Sequence, residues 1–236
     1  EPGWVDVNGL TDDGCECQFV ADEDLAGDGV DANCDGVDGE IAQGIFVAKD
    51  GSDDNPGTRE APMLTLNAAI MTADAEAKRD VYVATGVYSE NIVLYEGVGV
   101  FGGYSSDFAK RNTLTFETAI IGTDPTPTLP AAVTATSLGG PNASSPTIFD
   151  GFTVFGSNAA NFPGANSYAV YLVNCGENLI VRNNRIFAGA GGNGGSGGPG
   201  TDGNDGFSGA KGEKAYDVPW FGGNRTCFEA DELDGG

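Results

Sequence analysis

The feature that most constrains the fold is a train of short apolar runs between Ile45 and Phe187. They read Ile45 to Val47, Val81 to Ala84, Asn91 to Tyr95, Val98 to Phe101, Thr118 to Ile121, Thr147 to Phe155, Tyr168 to Val173 and Asn178 to Phe187. Turn residues punctuate them, and each run is too short for the long hairpins of a sandwich. No Asn-Gly dipeptide of the kind that closes a two-residue hairpin separates them. Short strands joined this way fit successive turns of a parallel solenoid. In Tyr168 to Gly189, Val170, Leu172, Leu179, Val181 and Ile186 are predicted to point inward between polar neighbours, and Asn183-Asn184 falls where a coil turns. Leu66, Ala69, Ile70, Ala73 and Ala77 recur at helical spacing, predicting one helix from Thr65 to about Arg79 with a narrow stripe of small residues. Asp124 to Pro146, rich in Pro, Thr and Ser, is predicted to be a long surface loop. The fold class is all-β, a solenoid of about three coils, and one that short has two apolar ends to cover. The helix is assigned to one of them.

Residues 1–44 are written in a different chemistry. Asp31, Asn33 and Asp35 place oxygen-bearing side chains two residues apart before Gly36, which permits a sharp turn. Ca²⁺ takes about six to eight oxygen ligands, and such spacing lets a loop wrap it. The match to an EF-hand loop stops halfway, because its twelfth position would be Ala42 rather than a glutamate. Asp38 or Glu40 is left to close the shell, with a backbone carbonyl near Val37. A weaker relative with Asp6, Asn8 and Asp12 precedes it and suggests a second metal position.

The chain carries 35 acidic and 11 basic residues, a formal charge of -24, which argues against nucleic acid and anionic membranes as partners. No stretch is long and apolar enough to span a bilayer. Beginning at Glu1 with no apolar leader, the numbering is read as starting after a removed signal peptide. Five cysteines, Cys15, Cys17, Cys34, Cys175 and Cys227, fit an oxidising compartment. Cys15 and Cys17 are too close to bridge each other without strain, so one of them is expected to reach Cys34, with Cys175 and Cys227 left for a second bridge. The chain has no histidine. That removes Ser-His and Cys-His catalysis and histidine-ligated zinc or copper, leaving an oxygen-liganded ion such as Ca²⁺ as the expected cofactor.

Two segments carry a family resemblance. The run from Ile45 through Asn55-Pro56-Gly57-Thr58 to Leu66, followed by Asp80 to Glu90 and Val100 to Tyr104, resembles the start of secreted right-handed parallel β-helix proteins of the pectate-lyase-like class. That resemblance implies that the helix caps the N-terminal end of the coil. Asn33 to Glu40 is similar to the metal-binding motif of bacterial surface proteins related to the copper-associated protein MopE. Copper does not carry over, because copper binding in those relatives leans on histidine. The paired aspartates and Arg-x-x-Lys element of pectin-degrading enzymes are also missing: the coil offers Asp150, Glu177, Arg182 and Arg185 as isolated charges.

From Gly191 a glycine occupies every third position, at Gly194, Gly197, Gly200, Gly203, Gly206, Gly209 and Gly212. A period of three matches a polyproline-II type helix with every glycine on one edge, where another chain can approach. Pro199 is the one proline in these triplets, which is too few for collagen. The tail from residue 215 to 236 holds Trp220 and Phe221, which are predicted to fold back or meet another copy. The four regions are therefore 1–44, 45–190, 191–214 and 215–236. They read as a bacterial, secreted, calcium-binding structural or adhesive surface protein that self-associates. The rival is a carbohydrate-active β-helix enzyme, or a polysaccharide-binding module using Asn183, Arg182 and Tyr171.

Overall fold

Alternating side chains on short strands can bury one face only if each strand finds a neighbour on either side, and this chain solves the problem by winding. The computed structural model describes residues 3–7, 10, 12, 14–124, 126 and 131–210. Asn8, Gly212, Trp220, Phe221 and Cys227 lie outside them. The chain forms two compact units, residues 1–196 and 197–236. In the second, residues 197–210 are exposed and without regular structure.

The first unit opens with β1 (Trp4–Val5) and β2 (Cys17–Gln18), paired antiparallel, and a single 3-10 turn, Ile41–Gln43. β3 (Gly44–Val47), α1 (Leu66–Ala75), β4 (Asp80–Ala84), β5 (Gly86–Ser89), β6 (Ile92–Val93) and β7 (Gly99–Tyr104) follow. Then come β8 (Thr118–Ile121), β9 (Ala131–Thr136), β10 (Thr147–Asp150), β11 (Thr153–Phe155), β12 (Tyr168–Val173), β13 (Leu179–Arg182) and β14 (Arg185–Phe187). They lie in three sheets with orders β13-β10-β7-β4-β3, β14-β11-β8-β5 and β12-β9-β6, and every pairing in those sheets is parallel. This is a parallel β-solenoid of about four turns, one more than the visible runs suggest.

The extra turn comes from strands hidden in the sequence. β9 lies inside the predicted surface loop, because its Ala-Ala-Val-Thr-Ala-Thr stretch lacks large side chains. It is nonetheless buried, since Val133 stacks between Ile92 below and Val170 above. Thr147 to Phe155 and Asn178 to Phe187 are each two strands joined at a corner, where Gly151 and Asn183 take φ of +87° and +54°. Asn184 crosses the same corner, accepting from Phe152 N and donating to the Phe149 carbonyl of the turn below.

Inside the coil, equivalent residues stack in columns. Ile45, Val81, Val100 and Phe149 are fully buried and Val181, the last rung, is half-buried. Tyr88, Ile120 and Val154 are buried, but Ile186 above them is 48% exposed, and Leu172 above buried Ala135 is 45% exposed. Both occupy their predicted inward columns, yet neither is buried, because no further rung among the described residues lies on them.

α1 packs Leu66, Ala69, Ile70 and Ala73 into the same core. It starts where Thr65 Oγ1 accepts from Ala68 N and Glu90 accepts from the Leu66 and Asn67 amides, consistent with a carboxylate at the positive end of a helix. It ends four residues before Arg79, shorter than the periodicity implied. Ala77 takes φ +53°, Ala77 N donates to Asp74 O and Lys78 N to Ala73 O, a Schellman stop that turns the chain into β4. Ala77 is therefore exposed and not part of the stripe.

A second core lies outside the coil. Phe46, Tyr82 and Phe101 stack outward on β3, β4 and β7, and with Ala48, Ala84, Tyr104 and Phe108 they pack edge-on or tilted against one another. What closes over them is the acidic segment, through fully buried Val37 and partly buried Ala26 and Ile41. Each large side chain so buried contributes roughly 1.5–3 kcal/mol. Most of this core's apolar surface is the solenoid's own.

Candidate metal centre in the acidic module

The disulfide Cys17–Cys34 closes the acidic loop, with the sulfurs 2.08 Å apart, which answers which of the two neighbouring cysteines reaches Cys34. Cys15 is exposed and Cys175 half-buried, and both are free thiols; the expected partner of Cys175 falls outside the described residues.

Within the loop, carboxylates hold the backbone by accepting from its amides. Asp31 accepts from Asp35 N and Gly36 N at 3.1 and 2.9 Å, and Asp35 from Val37 N and Ile41 N at 3.1 Å. Asn33 Oδ1 accepts from Asp35 N and its Nδ2 donates to Asp35 Oδ2. Asp38 accepts from Gly27 N and Gly29 N at 2.9 and 3.0 Å. Such Asx turns explain the two-residue spacing locally. The loop also folds back fifteen residues: Asp24 Oδ2 accepts from Gly39 N at 2.8 Å. Asp24 and Asp28 were not recognised in the sequence as part of the site. Both lie in the acidic run upstream of Asp31, but nothing in that run marks Asp24 as the residue that reaches Gly39.

Asp24 is the anomaly. It is fully buried, and its Oδ1 has no hydrogen-bond partner among the described residues. Burial raises its pKa, the Gly39 and Ala32 amides oppose the rise, and the Asp28 and Asp31 carboxylates add to it. Burial also raises Asp31, with Asp35 repelling it. Asp38, 6% exposed, is pushed up to about 6, chiefly by burial, against the Gly27 amide and the Arg111 charge. These groups are crowded enough to resist ionising together. Among the described residues, no three His, Cys, Asp or Glu side chains converge as a preformed metal cage. Glu40 is half-buried, as are Asp31, Asn33 and Asp35, while Val37 gives its side chain to the outer core. Asp6 is half-buried and Asp12 exposed, so the second metal position gains no geometry from them.

The module is fastened to the solenoid by polar contacts next to these carboxylates. Tyr104 Oη donates to Asp38 O, Glu40 N donates to Tyr82 Oη at 2.9 Å, and Arg79 reaches Asp24 O at 3.2 Å. Further along the same outer face Asp150, fully buried, accepts from Arg111 at 2.8 Å, from Arg182 at 2.6 Å and from Asn183. Arg185 pairs with Glu117 at 2.6 Å. The arginines therefore serve Asp150 and Glu117, so Asp150, Arg182 and Arg185 are not the isolated charges expected from the sequence. No described helix is long and apolar enough to cross a membrane.

Fold and site together define a parallel β-helix protein with an acidic, disulfide-closed loop seated on its outer face. A family described as protein of unknown function DUF1565, of parallel β-helix type, matches residues 49–197, and the chain belongs to it. The acidic module precedes the matched region. No curated protein and no solved structure matches significantly.

Proposed function

We propose that the chain is a calcium-stabilised structural protein of the bacterial cell surface, secreted, non-catalytic and self-associating. The observation that carries this reading is the unpartnered Asp24 Oδ1, buried among carboxylates that repel one another. A buried carboxylate oxygen without a donor is costly, and a bound cation offsets both that cost and the repulsion. Ca²⁺ fits a donor set made only of oxygens: Asp24 with Asp31, Asn33, Asp35 and a carboxylate of Asp38 or Glu40. The module's likeness to the MopE-type motif and the coil's likeness to secreted pectate-lyase-like proteins agree with it, as does a disulfide, which persists in oxidising compartments. In this reading α1 caps the N-terminal end of the coil, and the glycine triplets associate between copies.

Titration calorimetry with CaCl2, paired with thermal melting in calcium and in EGTA, tests it. Saturating calcium should add about 2.7 kcal/mol of stability at a hundredfold excess over Kd, and Asp24→Ala should abolish that gain. Equal melting in calcium and EGTA, with no heat of binding, overturns the reading.

A further inference from the structure

We infer that the acidic module is a cation-held cover, and that its release opens an aromatic face, Phe46, Tyr82, Phe101 and Tyr104 flanked by Arg111 and Arg182, on an otherwise intact solenoid. The inference rests on the calcium reading for what holds the cover, and on separate observations for the cover itself. The interior core contains no residue before Ile45, so the coil is complete without the module. The outer core draws on the module mainly through Val37. The disulfide ties the module to itself, and among the described residues no covalent link other than the chain joins it to the coil.

What remains are close backbone approaches and a few polar tethers. Gly39, at φ +122°, lies so near Tyr82 that an added Cβ would collide with the phenol oxygen. Gly27, at φ +94°, would bring a Cβ to 3.2 Å from both Phe101 and Arg182. The tethers from Tyr104 and Tyr82 end on Asp38 and Glu40, and that from Arg79 ends on Asp24. These three tethers end on proposed ligands, and a further one runs from Lys78 Nζ to the Ala42 carbonyl at 2.7 Å, so losing the ion loosens the ligands and most of the contacts with the coil in one event. Without the ion, repulsion of Asp24 by the Asp28 and Asp31 carboxylates loosens the module's own fold, and the seating on the face gives way with it, against the attraction of Arg111 for Asp38.

Tetranitromethane nitration of the full chain, mapped by mass spectrometry, reads this out, with Tyr88 as an internal control because it is buried inside the coil and donates to Ala84 O. In calcium all three of Tyr82, Tyr104 and Tyr88 should resist nitration. In EGTA, Tyr82 and Tyr104 should lose protection and react at the rate of half-buried Tyr171, with Tyr88 still protected. Calcium binding seen by calorimetry with Tyr82 and Tyr104 unreactive in EGTA overturns the cover and leaves the calcium reading standing. No heat of binding overturns the calcium reading and the cation's hold with it. Gly39→Val, which wedges the module off whatever the ion does, should expose the same two tyrosines even in calcium. If Tyr88 reacts alongside them, in EGTA or in G39V, face and interior open as one and no cover exists.

Discussion

Phe149 and Asp150 are neighbours on one strand, both fully buried, and they belong to two differently built cores. Phe149 points into the coil, stacked face to face on Phe152 at 4.6 Å between Val100 and Val181. Asp150 points out and is held by two arginines and Asn183. Inside, each turn repeats the demand of the last, so burial comes from register alone. Outside, burial depends on a segment that begins before the coil and returns to it through carboxylates, backbone amides and tyrosine hydroxyls. The interior is repetitive and apolar; the exterior core is singular and electrostatic.

That difference sets the largest expected effect. Phe149→Ala should cost about 3–5 kcal/mol and lower the urea midpoint of the whole solenoid, because the cavity has Phe152 and both neighbouring rungs around it. Val37→Ala in the outer core should cost roughly 1.5–3 kcal/mol and loosen the module first. Hydrogen exchange followed along β4, β7 and β10 separates them. Equal loss of protection in both variants would erase the distinction between the cores.

Removing the bridge sharpens it further. Replacing Cys17 and Cys34 together by serine should cost on the order of 3 kcal/mol by releasing a loop of this size. The loss should fall on the module, with faster exchange at residues 24–40 and unchanged exchange in β10 and β11. Protection lost equally in those strands would mean that the module is integral to the coil.

The same contrast decides what was legible in the sequence. Columns such as Ile45, Val81 and Val100 announce themselves by alternation, so the parallel coil could be read directly. β9 could not, because Ala and Thr satisfy a column when the rungs around them are large. The helix stop at Ala77 was invisible, since alanine gives no warning of a left-handed residue. In the module the Asx spacing was readable as oxygen chemistry, but Asp24 owes its place to Gly39, fifteen residues away, and no local pattern encodes that contact. The outward ladder Phe46, Tyr82, Phe101 was present in the strands, yet without knowing that the module lies on it these residues had no assigned partner.

Proton linkage gives a smaller effect whose sign is informative. Asp38 is raised from 3.8 to about 6 by burial, and Asp24 and Asp31 are raised in the same direction. A folded carboxyl with a raised pKa binds protons that the unfolded chain has released, so stability falls as pH rises from 3.8 towards 6. In calcium-free buffer the module should therefore be better protected from exchange at about pH 4 than at neutrality, with Asp38 alone contributing about 3 kcal/mol. Calcium needs the ionised carboxylates, so in its presence protection should instead rise with pH. A module whose pH response is the same with and without calcium would detach the carboxylates from any ion.

The smallest effect on folding should come from the glycine triplets, and its smallness is the point. Gly192 cannot accept a Cβ, which would strike the Phe162 carbonyl. A Cβ on Gly200, Gly203 or Gly206 would meet nothing within 4 Å, and none of the three has a left-handed φ. Nothing in the described chain requires glycine there. Replacing all three by alanine should leave melting within about 0.5 kcal/mol of the parent, as surface changes do. If the fixed period serves contact with another copy, light scattering in calcium should show the parent gaining mass with concentration and the substituted chain staying monomeric, because a methyl at every third position blocks the backbone approach that the polyproline-II edge allows. A parent that is monomeric at every concentration, or a substituted chain that associates equally well, assigns the triplets to a spacer.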